Sequence, residues 1–462
     1  MGNQSPGLGK SFGFILKAAL MALMTGLPLL LYKNPMVLAK TISVPQDYPS
    51  IQAAIFKSGH EDVIEVSRGV YRENINFLGK AITIKSTNPE DPAVVAMTVI
   101  DGQQQGSVVT FHSGEKNDSV LNGLTLRNGR ADWGGGIDCS DGSSPAITNC
   151  IIRHNWALSG GGLCCFSSSP TLTNCTIREN SAEYKGGGIY ADYSSPVIAH
   201  CTISENSVEA QAGGGIACHF SPAAISNCLI MKNKAREKGG GIYCYFDPPA
   251  ITNCTIVGNM SPDGGGICCA YSSPSITNGI IRNNLEHEIG GYTKPVIRYS
   301  NITGGYPGEG NSDDEPLFMN PNEGDFHLRL GSPCIDAGTN KNAPATDRDG
   351  LVRPEDRDGD GVAVCDMGAY EFHEKVTATL SGRIFDRNTG VPLPAVKIEI
   401  PGRAHTVTTR DGHYSLPDIF TGVYDISFLK EGFMPLVQKN VYFRPDGQLV
   451  IDLAMAPEGK SN

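Results

Sequence analysis

Between Gly134 and Asn284 the chain repeats one phrase of apolar and polar positions. Glycine triplets begin at Gly134, Gly160, Gly186, Gly213, Gly239 and Gly264, at intervals of 26, 26, 27, 26 and 25 residues. After each triplet an apolar residue, an outward position and a small residue alternate, as in Ile137, Asp138 and Cys139. A second alternation follows at Ile147, and a third at Cys150 and Ile152. Period-two runs this short predict strands, three to a unit and separated by bends, with no room for a helix. A fixed period near 26 residues predicts units stacked as coils, each rising roughly 4.8 Å on the last.

Stacking turns the repeat into columns. Ile137, Leu163, Ile189, Ile216, Ile242 and Ile267 form one apolar column, and Ile147, Leu172, Ile198, Ile225, Ile251 and Ile276 another. Asn149, Asn174, Asn227, Asn253 and Asn278 form an amide column broken by His200, and Asn155, Asn180, Asn206, Asn233, Asn259 and Asn284 a second. Stacked amides can satisfy backbone groups that the bends leave unpaired. The fold class predicted is all-β: a parallel β-helix of about 26-residue coils over 40–330, then a small antiparallel β-sandwich over 376–457.

The repeats resemble the right-handed parallel β-helix proteins of the pectin-lyase-like superfamily, and "ISVPQDYPSIQAAI" is similar to the opening of such chains. Pro49 to Lys57 has helical spacing and would cap the open end of the solenoid. "DDEPLFMNPNEGDFHLRLGSPCIDAGTN" and "DMGAYEF" resemble a choice-of-anchor region, placed over 331–373, which implies surface association. "TRDGHY" and "TGVYDISF" are similar to a carboxypeptidase-regulatory-like module, implying a transthyretin-like sandwich.

Composition narrows the partners. The net charge of −11 argues against nucleic acid, whose phosphates demand a basic face. Residues 1–39 carry Lys10 and Lys17 before a short apolar run ending in "VLA", which predicts a signal peptide; an uncleaved anchor is the rival. With the signal removed no span is expected, and the chain is read as a secreted or cell-surface monomer.

Twelve of the fourteen cysteines fall inside the repeat, where Ala191 and Gly279 replace them in their columns. That interchange predicts small buried thiols. In-register Cβ atoms about 4.8 Å apart are too distant for easy bridging. Cys164 and Cys268 are expected to point outward and to be the more reactive. Cys334 and Cys365 bracket an acidic loop, where a disulfide and two free thiols are both open readings.

Candidate chemistry lies on the outward positions after the triplets: Asp138, Tyr190 and Tyr243, with Asp192, His219 and Tyr245 one step beyond. Aromatic bodies with polar tips suit sugar rings; an ordinary solvated sheet is the alternative. Strand spacing puts Asp138 and Asp192 roughly 10 Å apart, near the upper range for an inverting carboxylate pair. By alternation Tyr193, Phe220, Phe246 and Tyr271 are expected to point into the core. "DRDGDG" sets Asp356, Asp358 and Asp360 as the first half of a calcium loop, without a glutamate at position 12; a self-bonded acidic turn reads equally. Calcium is therefore the one cofactor in view. The functional expectation is a non-catalytic exported protein binding polysaccharide or another envelope component along the solenoid. A polysaccharide lyase or carbohydrate esterase, and a spacer without ligand, are the alternatives.

Overall fold

The computed structural model describes residues 39–356, 361–372, 377–400, 404–420, 422–443 and 447–458. Residues 1–38 of the expected signal peptide and two of the three aspartates of the expected calcium loop, Asp358 and Asp360, lie outside the described residues.

The coil Ile137–Gly162 shows how one repeat folds. Ile137–Cys139 belongs to a first sheet, Ala146–Thr148 to a second and Ile151–Arg153 to a third. Trp156–Ser159 adds a short fourth ladder before the next glycines. Among the described residues these sheets hold nine, eleven, ten and five strands, all pairing in parallel from coil to coil. Register is residue for residue, Ile137 on Leu163 and Ile147 on Leu172, so the predicted apolar columns exist and fill the bore. The helix Ile51–Lys57, capped by Ser50, buries Ile51, Ala54 and Ile55 at the first coil.

Each glycine of a triplet has its own reason. The first has a left-handed backbone, φ 63° at Gly186. At the second, a Cβ on Gly187 would stand 2.5 Å from the Gly214 carbonyl oxygen of the next coil. The third is as crowded, with a Cβ on Gly188 2.6 Å from the Gly215 oxygen. Three glycines thus let stacked backbones close a sharp corner.

The inner asparagine column is a continuous amide ladder. Asn180 Nδ2 donates to the Ile152 carbonyl at 2.9 Å and to Asn206 Oδ1 at 3.0 Å, while that same oxygen accepts from Asn180 N at 3.0 Å. Asn206 repeats the pattern on Ile177 and Asn233. All fourteen cysteines are free and buried. Burial pushes the thiols of the first column up, Cys218 to about 12.

A strap closes the flank of the solenoid. Phe318, Phe326, Leu328, Cys334, Met367 and Phe372 pack on Leu229, Val257 and Ile280 of the third sheet. Its polar anchor is Arg353, whose Nε donates to Glu371 Oε1 at 2.5 Å with both side chains buried, and whose Nη1 donates to Asn227 Oδ1 at 2.8 Å. Cys334 sits in that apolar layer, whereas Cys365 donates to the Thr339 carbonyl at 2.9 Å; neither is bridged. Beyond it, strands from Thr377–Asp386 to Leu453–Met455 form two sheets, mostly antiparallel, around a separate core that includes Ile384, Ile398, Ile426 and Phe428.

Candidate functional site

The outward face of the first sheet divides into a covered half and an open half. Tyr190 and Tyr243 do point away from the bore, yet they are only 4% and 8% exposed. They form a second, external apolar layer with Cys164, Ala212, Ala217, Cys268 and Ala270. Trp133 stacks on Tyr190 at 6.3 Å, and Lys185 lies 5.9 Å above the same ring. The fourth ladder therefore roofs this row. Two expectations change: Tyr190 and Tyr243 are packing residues, and Cys164 and Cys268, though outside the bore, are buried with them. Burial raises both thiols, reinforced at Cys268 by the carboxylate of Asp263.

One step along the strands the face opens in part, with the Asp192 and His219 side chains 13% and 20% exposed. Asp192 accepts from the Tyr190 hydroxyl at 3.1 Å and pairs through Oδ1 with His219 Nδ1 at 2.7 Å. His219 stacks on Tyr245, ring centroids 4.7 Å apart and planes 5° from parallel. Four of the six expected residues, Tyr190, Asp192, His219 and Tyr245, are thus joined in one row, with Tyr243 6.2 Å from Tyr245 at its side.

Asp138 stands apart. Its Oδ2 pairs with His112 Nε2 at 2.8 Å, two coils below Tyr190. Burial raises the Asp138 carboxyl against the opposing pull of His112. Two coils plus two residues separate it from Asp192 by about 12 Å, and each carboxylate has its own imidazole. The expected carboxylate pair is therefore two separate Asp–His pairs.

Alternation misses the residues that complete the face. Tyr193, Phe220, Phe246 and Tyr271 were expected in the core, but they lie on the outside; Tyr193 and Tyr271 are both 59% exposed. The reason is the backbone: φ is 48°, 47°, 63° and 57° at these positions, and a left-handed residue flips the side-chain direction. The rings stack coil on coil at 4.9, 4.7 and 5.7 Å, and Tyr292 extends the line from Tyr271 at 5.7 Å. The signal available in sequence was the aromatic recurring directly after a four-residue strand, where a turn must begin. Left-handed turns favour Gly or Asn, so each aromatic there carries strain of roughly 1–2 kcal/mol, against about 0.5–1.5 kcal/mol returned by a stacked pair.

Residues 83–248 match the family model of the right handed beta helix region, and residues 379–456 that of the carboxypeptidase regulatory-like domain. The chain is a right-handed β-helix with a carboxypeptidase regulatory-like domain behind it. Several solved structures resemble it at low identity. A pectate lyase is 12% identical, covering 72% of this chain and 96% of its own at TM-score 0.44. The pectin methylesterase of Aspergillus niger is 16% identical, covering 59% and 85% at 0.32, and that of Erwinia chrysanthemi 14%, covering 58% and 90% at 0.31. No curated protein matches the chain. The chemistry of this β-helix must therefore be argued from its own residues.

No group of three or more His, Cys, Asp or Glu side chains converges as a metal site among the described residues. Asp356 accepts a hydrogen bond from Gly361 N at 3.1 Å. No described helix is long and apolar enough to cross a membrane.

Proposed function

We propose that this β-helix is a non-catalytic polysaccharide-binding protein that works as a monomer outside the cell or on its surface. The observation that carries the reading is the open row Asp192–His219–Tyr245 beside a line of exposed aromatics at strained turn positions. Relief of that strain is one substitution away at each coil, so the rings stand where a more stable residue could. Their edges, and the exposed surface of Tyr193 and Tyr271, offer apolar surface to sugar rings. The carboxylate, imidazole and phenol tips offer partners to hydroxyls. The row runs along the solenoid, so an extended chain of sugars lies on it in successive registers. Acidic character overall disfavours nucleic acid.

Glycan-array binding with wild type and with Tyr245→Ala tests this; array signal that survives the substitution unchanged removes the site. Asp138 supports a second reading. A carboxyl raised by burial beside an imidazole is the equipment of a general acid. Release of new reducing ends, unsaturated products or esters from polysaccharides incubated with the protein, with and without calcium, decides for an enzyme.

A further inference from the structure

A different corner of the coil carries an unfilled site. The outer asparagine column turns the chain from the second to the third sheet, and the strap covers its far end. There Asn227, Asn253 and Asn278 donate from Nδ2 to the carbonyls of Thr346, Asp366 and Thr339 at 2.7, 3.0 and 2.9 Å. At the near end, Pro89 lies against Gly123. Between these two covers Asn174 and His200 are left open. A cavity of about 400 Å³ stands above them, lined by Thr173, Asn174, His200, Thr346, Arg348 and Asp349. We infer that this cavity is a second binding site, one that takes a small polyhydroxylated carboxylate such as a sugar acid.

The carboxylate is demanded by Arg348. Its Nη2 donates to Thr202 Oγ1, its guanidinium lies 6.0 Å from the Tyr370 ring, and its Nε has no partner. Among the described residues no carboxylate forms an ion pair with it, and this half-covered cation lines the cavity. Asp349 at the rim does not supply that ion pair: its Oδ2 holds His327 Nε2 at 2.8 Å. The hydrogen bonds that Asp349 and Asp325 accept from it raise His327 to about 9, so this imidazole is cationic at neutral pH and offsets one of the two carboxylates there.

The hydroxyls are demanded by the rest of the wall. Asn227 is oriented by Arg353, which donates to its Oδ1, and therefore presents Nδ2 to His200 Nε2 at 3.4 Å. That assigns His200 Nδ1 as the protonated nitrogen, a free donor. The Asn174 amide and the Thr173 and Thr346 hydroxyls supply donors and acceptors in turn. The volume falls in the range of small-molecule pockets, roughly 300–1,000 Å³. The lining is predominantly polar, which suits a polar ligand better than an apolar one.

Calorimetric titration of the full chain with gluconate, glucuronate and neutral glucose tests the site. The expected result is saturable binding of the acids and none of glucose. Arg348→Gln weakens the acids about tenfold or more, as loss of a hydrogen bond to a charged group does. Arg348→Lys weakens them less, and Asp192→Ala on the proposed polysaccharide row leaves them unchanged. His200→Asn restores the side chain found elsewhere in the column, so it keeps the fold and still weakens binding. Three results each overturn the site: no saturation by either acid, equal uptake of glucose, or unchanged affinity in His200→Asn together with Arg348→Gln. Should Arg348→Gln fail to fold, His200→Asn and Arg348→Lys carry the test alone.

Discussion

Asn206 shows what one side chain contributes to a solenoid. It donates to the coil below through the Ile177 carbonyl, donates to Asn233 above, and accepts from both Asn180 N and Asn180 Nδ2. Asn206→Ala strands donors and acceptors on two neighbouring coils in a dry corner. The expected cost is about 2–4 kcal/mol, read as a shift in denaturant midpoint with unchanged slope. The turn aromatics behave oppositely. Tyr271→Asn exchanges a strained ring for a residue that tolerates left-handed backbone, losing the stack on Phe246. Stability should stay within about 1 kcal/mol of wild type, while polysaccharide binding weakens. A large loss of stability with binding intact would show that the rings serve only to hold the turns.

At the scale of elements, the strap is where charge decides. Glu371→Gln leaves Arg353 buried without its carboxylate, and the expected cost is about 3–5 kcal/mol, seen first as proteolysis within 318–372 while the coils stay intact. His327 adds a pH dependence. Its folded pKa, about 9, lies above the ordinary 6.5, so its contribution is full below pH 6.5 and is lost as pH rises through 9. Melting temperature should therefore fall across that window in wild type and fall less in His327→Asn. Coils and columns were legible in sequence because their periods, 2 and 26, recur over six coils, and the capping helix was legible from the helical spacing of Ile51, Ala54 and Ile55. The strap was legible only as a family resemblance. Its contacts with Asn227 and Asn253 join residues 119 and 113 positions apart, and no periodicity reports such pairs. Half of the candidate row was legible for a related reason: alternation places Asp192, His219 and Tyr245 correctly on the outside. It fails at Tyr193, Phe220, Phe246 and Tyr271, where a single left-handed residue reverses direction, and it cannot see the roof over Tyr190 and Tyr243.

For the whole molecule, the thiols give a global check. Fourteen free, buried cysteines predict a native protein inert to a water-soluble thiol reagent and a count of fourteen after denaturation without reductant. A count of twelve would show a disulfide, with Cys334 and Cys365 the first pair to test. The β-helix has one flank strapped, one row roofed and one row open. Its central claim is that the open row holds polysaccharide. The most direct test is isothermal titration of the polysaccharide that gives the strongest array signal, comparing wild type with His219→Ala/Tyr245→Ala. The account predicts measurable binding by wild type and at least a tenfold loss in the double variant, with the melting temperature preserved. Equal affinity in the two proteins would contradict it.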